Sequence, residues 1–330
     1  MRLYFACCGC DDLTAFEQPE KANKRVSGTL CRTCVTILAL YSGFNLFIIN
    51  ITTRLVPRAL IPPVAFVTAL FFYLLFPRQR RGARANLRTV TGRQRVEPLL
   101  ISAYYKYSRN WADVMLMMRL HGKKLFSLIG REQGAGILDE VLAQGKGAIL
   151  VSPHFGNWEL GGLGLADRGY RLNVLTFREP DEKVNELREE VRGRRGIGVI
   201  YVDRNDTSPL AIIEAVNALR RNEVLALLGD RDGSSHTLTM DFFGKPAEIP
   251  AGPAYLAMAS GAPVLPVFVP IEGGKYATIM EQPIYFGGGH GRHGAAIKEG
   301  MERLLSVFEE YIRRYPDQWY NFFDYWNSEK

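Results

Sequence analysis

The stretch Ser152-Pro153-His154-Phe155-Gly156-Asn157-Trp158-Glu159 holds the residue types and spacing best suited to chemistry. His154 follows Gly147–Ser152, an apolar run that reads as a buried strand, and precedes a helix-forming segment. Glu159 comes five residues later, in the first turn of that helix. A carboxylate beside an imidazole fixes the ring's tautomer and stabilises the imidazolium formed when it takes a proton. Gly156 permits the tight approach that would fold His154 back onto Glu159. The bland alternative is a histidine that merely caps a loop, with Glu159 complementing the helix dipole. Strand-end placement, a carboxylate and a glycine together favour catalysis. The chain has no Gly-x-Ser-x-Gly elbow, and no cysteine follows Cys34, so the body offers no rival nucleophile. The pattern points to a histidine base that activates an external hydroxyl without a covalent enzyme intermediate.

The elements that must position this histidine form one alternating series. Glu97–His121, Gly136–Gln144, Gly156–Asp167, Glu182–Arg195, Pro209–Arg221, Gly252–Ser260 and Ala295–Arg314 read as helices. Gly147–Ser152, Leu172–Thr176, Gly198–Val202, Val224–Leu228, Leu238–Phe242, Val264–Pro270 and Tyr276–Phe286 read as strands. Apolar strands alternating with helices imply an α/β fold, a mixed and mostly parallel sheet covered by helices on both faces. Sites in such sheets lie beyond the carboxyl ends of the strands. Arg178 follows one such end and Asp230, Arg231 and Asp232 another. A guanidinium there can hold a phosphate through two hydrogen bonds, and Asp230 and Asp232 would steer the arginines or assist the site. Ion pairs at loop ends are an equal reading for both arginines.

With 330 residues, 47% hydrophobic and 23% charged, the chain can bury a large core and is neither disordered nor a disulfide scaffold. Its net charge of +7 is local. Thirteen of the 41 Lys and Arg lie between Lys21 and Val96, where there is no Asp or Glu, which leaves 28 cations against 34 acids elsewhere. That distribution argues against a nucleic-acid partner. The same segment carries the longest apolar runs, Val35–Thr53 and Leu60–Phe76, the second with 17 uncharged residues. Because a spanning helix needs about 20 apolar residues, a spanning helix, an in-plane anchor and a helical hairpin all remain open. The arginines from Arg78 to Arg95 follow directly and would stay cytoplasmic, against anionic lipid. The expected division is a Cys-containing extension over 1–34, a membrane anchor and basic segment over 35–96, and a catalytic domain over 97–330. Cys7-x-x-Cys10 and Cys31-x-x-Cys34 have a four-thiolate zinc spacing. A loose extension with reduced thiols is the other reading, and no catalytic metal is expected.

The run His154-Phe155-Gly156-Asn157-Trp158-Glu159 resembles the His-x4-acid motif of the lysophospholipid acyltransferase superfamily, in the wording of its lipid A late acyltransferase (lauroyl/myristoyl acyltransferase) branch. Thr176-Phe177-Arg178, Gly229-Asp230-Arg231-Asp232, Asp241-Phe242-Phe243-Gly244, Pro250-Ala251-Gly252-Pro253-Ala254, Pro263-Val264-Leu265-Pro266-Val267 and the basic Arg81-x2-Arg84-Ala85-Asn86-Leu87 match in order. The likeness runs from about Val35 to the C-terminus, and it departs at Glu179, where the family has proline. It implies that His154 deprotonates a hydroxyl on a phosphorylated glycolipid such as a lipid A precursor, and that this hydroxyl attacks a fatty acyl thioester. It further implies that Glu159 orients the ring, that Arg178 and Arg231 hold phosphate, and that no cofactor is needed. The implied donor is acyl carrier protein or acyl-CoA, and the implied location is the cytoplasmic side of the inner membrane. Backbone N–H groups at the helix start after His154 would stabilise the oxyanion or an acceptor phosphate.

A rival reading comes from Val224–Ser234, whose Asp230-x-Asp232-Gly233-Ser234 resembles the signature of haloacid-dehalogenase-type phosphatases. The same Asp-x-Asp occurs in metal-dependent glycosyltransferases. Neither rival uses His154, and only about 100 residues follow Asp230.

Overall fold

The computed structural model describes residues 60–178, 182–202, 209–231, 236–287 and 293–327. The cysteine pairs, the first apolar run, Glu179 and Asp232 lie outside these residues.

Three helices come first: α1 (Ile61–Leu75), α2 (Pro77–Thr91) and α3 (Glu97–Met117). The short α4 (Lys123–Phe126) leads to β1 (Ile129–Gln133), α5 (Ile137–Leu142) and β2 (Ala148–Ser152). The alternation continues through α6 (Trp158–Asp167), β3 (Leu172–Phe177), α7 (Glu182–Gly193), β4 (Gly198–Val202), α8 (Leu210–Arg220) and β5 (Val224–Leu228). A hairpin, β6 (Thr237–Phe242) and β7 (Lys245–Pro250), precedes α9 (Gly252–Ser260), β8 (Val264–Phe268), β9 (Ile271–Glu272), β10 (Lys275–Met280) and α10 (His293–Arg314). A 3-10 turn at Pro316–Gln318 opens the C-terminal strap.

The main sheet has the order β1-β10-β8-β2-β5-β3-β4, with β9 beside β10. The central pairs β8–β2, β2–β5, β5–β3 and β3–β4 are parallel, and β10 runs antiparallel to β8, so the mixed, mostly parallel sheet stands as expected. Successive strand residues face opposite sides. Ile149 and Val151 join one core with Leu219, Phe268, Phe308 and Tyr311, while Ala148 and Leu150 join another with Met117, Leu138, Leu160 and Leu163. Both faces of β2 are therefore covered by helices, which explains its unbroken apolar sequence.

Three local features depart from expectation. β1 was not foreseen, because Ile-Gly-Arg-Glu-Gln is a largely exposed edge strand with no apolar alternation. β7 was not foreseen either: its Pro246 and Pro250 suit only an edge, and its sole partner is β6. Phe243 and Gly244, both at positive φ, close that hairpin in two residues. The strand expected over Tyr276–Phe286 stops at Met280, and only a bridge between Val264 and Ile284 continues it.

α1 and α2 meet at an angle of 100° beside Phe76, with Pro77 opening the second helix. Among the described residues no single helix is long and apolar enough to cross a membrane. At 15 residues, α1 is about 22 Å long, short of the roughly 30 Å hydrocarbon core. Ile61, Ala65 and Ala69 are buried, whereas Val64, Phe66, Val67, Leu70, Phe71, Leu74 and Leu75 are exposed. α2 is instead fastened to the body. Asn86 is buried and donates to the carbonyls of Asn321 (2.8 Å) and Phe323 (2.7 Å), and its Oδ1 accepts from the N–H of Tyr325 (3.0 Å). A Cβ on Gly82 would stand 2.5 Å from the Phe323 carbonyl carbon, so α2 and the strap touch backbone to backbone. The boundary drawn on sequence at residue 96 thus runs through a packed unit.

Candidate active site

β2 and β5 are neighbours with their carboxyl ends on the same edge, and each delivers one half of a pair. His154 sits two residues past β2, in a loop built to hold it. Gly156 has φ +58°, and a Cβ there would lie 2.2 Å from the Val269 carbonyl oxygen, so only glycine fits. Asn157 caps α6, its Oδ1 accepting from the Leu160 N–H at 3.0 Å. Trp158 stands edge-on to the imidazole, with ring centroids 5.7 Å apart.

Asp230 lies two residues past β5 and is 0% exposed. Its Oδ1 is 2.6 Å from His154 Nδ1 and also accepts the His154 backbone N–H at 3.0 Å. Its Oδ2 accepts Trp319 Nε1 at 2.8 Å and Asn321 Nδ2 at 3.3 Å. Burial alone would raise the carboxyl pKa. The facing His154, the neighbouring Arg231 and the Trp319 donor outweigh it and hold the value down at about 2. An ionised Asp230 at Nδ1 keeps the proton there and turns Nε2 into the basic atom.

The carboxylate on Nδ1 is therefore Asp230, 76 residues away, and not Glu159 as the local motif suggested. Glu159 Oε1 instead accepts from the buried Arg192 of α7 at 2.9 Å, tying α6 to α7. Three N–H groups expected to meet an oxyanion are already engaged: Phe155 to the Pro153 carbonyl, Gly156 to that of Gln318 and Asn157 to that of Val269. What α6 presents to the site is its N-terminal dipole.

The two arginines part company. Arg178 is at the carboxyl edge past β3, two strands from β2, with its side chain 57% exposed. It sits over the Tyr201 ring at 4.2 Å and lies 3.7 Å from Glu182 and 3.9 Å from Glu189, loose contacts in solvent that a stronger anion can displace. Arg231 turns inward: Nε donates to Asn321 Oδ1 at 2.5 Å and Nη2 to the Tyr320 carbonyl. These two donors brace the strap. Asp230 does not suit the nucleophile of the phosphatase reading, because it is wholly buried and both its oxygens are hydrogen-bonded.

Sequence reasoning missed Trp319 and Asn321, whose only signal is the density of aromatic and amide side chains over Trp319–Trp326.

A family model for bacterial lipid A biosynthesis acyltransferases matches residues 34–328. The chain belongs to this family. It is 31% identical over 198 residues to a phosphatidylinositol mannoside acyltransferase of Mycobacterium tuberculosis, a match covering 60% of this chain and 62% of that protein. It is 25% identical over 244 residues to one of Mycolicibacterium smegmatis, covering 72% of this chain and 76% of the other. The chain thus spans less than two thirds of the Mycobacterium tuberculosis relative's length.

Asp230→Asn removes the charge with little change of volume. The folded value of about 2 lies below the roughly 3.9 of an unfolded aspartate. The carboxylate's stabilisation is then complete above about pH 4 and disappears as pH falls toward about 2. Urea unfolding is expected to show a variant at least about 1 kcal/mol less stable at pH 5, with the gap to wild type narrowing between about pH 4 and about pH 2. A gap that stays constant over that range would mean that Asp230 is not ionised in the folded protein.

Proposed function

From membership of the lipid A biosynthesis acyltransferase family, we propose that this protein transfers a fatty acyl chain from a thioester to a hydroxyl of a phosphorylated glycolipid, at the cytoplasmic face of the membrane. The observation that carries the reading is the 2.6 Å contact between His154 Nδ1 and a fully buried Asp230 at the carboxyl edge of adjacent parallel strands. Nε2 removes the proton from the acceptor hydroxyl as its oxygen attacks the thioester carbonyl. Asp230 stabilises the imidazolium that forms. The negative charge on the tetrahedral oxygen develops near the positive N-terminal end of α6. The C–S bond then breaks, and the imidazolium returns its proton to the leaving thiolate.

Among the described residues, Arg178 has both the location and the exposure to meet an acceptor phosphate. The donor is an acyl thioester of acyl carrier protein or coenzyme A. The arginines of α2 and its flanks would attract either an acidic carrier or anionic headgroups. The exposed apolar face of α1, followed directly by Arg78, Arg80 and Arg81, fits a helix lying in the membrane interface with its cations at the phosphates.

His154→Ala is expected to lower turnover by about 10²–10⁴-fold while the protein stays folded. The assay uses acyl carrier protein and coenzyme A thioesters with a lipid A precursor and a phosphatidylinositol mannoside as acceptors. Wild-type turnover by a folded His154→Ala protein would remove the proposed base, and the pair of substrates that reacts names donor and acceptor.

Arg178→Lys keeps the charge but loses the planar two-pronged geometry. It is expected to raise the acceptor KM several-fold with the donor KM within two-fold of wild type. An unchanged acceptor KM would return Arg178 to a surface role.

Val67→Glu with Phe71→Glu puts two charges on the exposed face of α1. Sedimentation with vesicles containing phosphatidylglycerol is expected to fall, with thermal melting unchanged. Undiminished binding would move the membrane contact elsewhere.

A further inference from the structure

Asp230 is not held by its own loop alone. Both donors to its Oδ2, Trp319 and Asn321, come from the strap beyond α10. The strap meets the same site at three further points: the Tyr320 N–H donates to the His154 carbonyl (2.8 Å), Gln318 O accepts the Gly156 N–H (2.9 Å), and the Tyr325 hydroxyl donates to the Asp230 carbonyl (2.5 Å). Burial pushes the Tyr325 pKa well up, so its hydroxyl remains a donor. Among the described residues past Gln318 the strap forms no helix or strand, only an isolated antiparallel bridge between Trp319 and Phe155. Three of its backbone groups, at Asn321, Phe323 and Tyr325, are instead bound by the single buried side chain of Asn86 on α2.

We propose that Trp319 and Asn321 are positioning residues for the His154–Asp230 pair, and that Asn86 sets their place by clamping the strap to α2. The inference rests on the acyl-transfer reading, in which Nε2 of His154 is the base. A carboxylate free to swing would lose its line to Nδ1, and a fully desolvated Oδ2 without donors would become a stronger proton acceptor. The groups facing Asp230 are His154 from the β2–α6 loop, Arg231 from its own loop, and Trp319, Asn321 and Tyr325 from the strap. Among the described residues the titratable ones are His154, Arg231 and Tyr325, so a shift in the mid-range pH limb reports the imidazole.

Trp319→Phe keeps a ring in the aromatic cluster but removes the Nε1 donor. The full-length protein is expected to lose roughly 10- to 100-fold in kcat, with both KM values within two-fold of wild type. With one donor gone, Asp230 holds the imidazolium more strongly, so the acid limb of the kcat profile is expected to move upward by roughly half a pH unit. Asn86→Ser releases the strap without touching His154 or Asp230. It is expected to lower kcat in the same sense, with KM again unchanged. A folded Trp319→Phe protein with wild-type kcat and an unmoved limb overturns the proposal. Should that variant fail to fold, Asn86→Ser decides, and wild-type kcat and limb in it overturn the proposal equally. His154→Ala is run beside them. Wild-type turnover in that variant defeats the acyl-transfer reading itself, whereas an inactive His154→Ala beside a normal Trp319→Phe defeats only the positioning role.

Discussion

An ionised carboxylate with no exposure to water is the constraint around which the structure is arranged. Asp230 loses its hydration entirely, and an isolated buried charge would neutralise itself by taking a proton. It stays charged because four donors and a neighbouring guanidinium surround it: the ring and backbone N–H of His154, the indole of Trp319, the amide of Asn321, and Arg231. Each donor must in turn be held still. Arg231 and Asn321 bind each other, Tyr320 reaches back to His154, and Asn86 of α2 binds three backbone groups of the strap.

The strap is also tied at its start. Asp317 accepts from Ser102 and Lys106 of α3, and Gln318 exchanges two hydrogen bonds with the backbone of Ile271. Past the 3-10 turn its aromatic rings pack in succession: Trp319 and Trp326 against Phe242 and Phe243, Tyr320 and Phe322 against Tyr107 of α3. α2 and α3, which pack against α1 with its exposed apolar face, therefore belong to the same packed assembly as His154 and Asp230. α1, with its exposed apolar face, and the sheet edge that carries His154 share these supports. Charge is distributed accordingly, since α1 and α2 belong to the stretch between Lys21 and Val96 that has no Asp or Glu.

Much of the scaffold was legible locally. The apolar run Val224–Leu228 matches β5 residue for residue, because a central strand covered on both faces is apolar throughout, and Gly198–Val202 matches β4, a half-buried strand at the sheet's end whose residues are still mostly β-branched or aromatic. Among the strands that escaped, β1 and β7 are edge strands, where polar residues and proline are tolerated. Glu159 was the nearest acid to His154 in sequence, yet its first turn of helix points it to Arg192 of the next helix. Arg178 and Arg231 looked equivalent, each directly after a strand. They differ because the strap covers the end of β5, while Arg178, past β3, remains largely in solvent.

The sequence by itself determined that the chain is an alternating α/β protein and that His154 stands at the end of a buried strand. These are consequences of side-chain period and of backbone conformation, which neighbouring residues settle among themselves. Only the tertiary structure decided which acid serves the histidine. That depended on β5 lying beside β2, although β3 and β4 come between them in the chain, and on a strap 89 residues after Asp230 returning to supply Trp319. Strand order and long-range donors are set by the packing of the whole sheet and its covering helices, so no local pattern carries them.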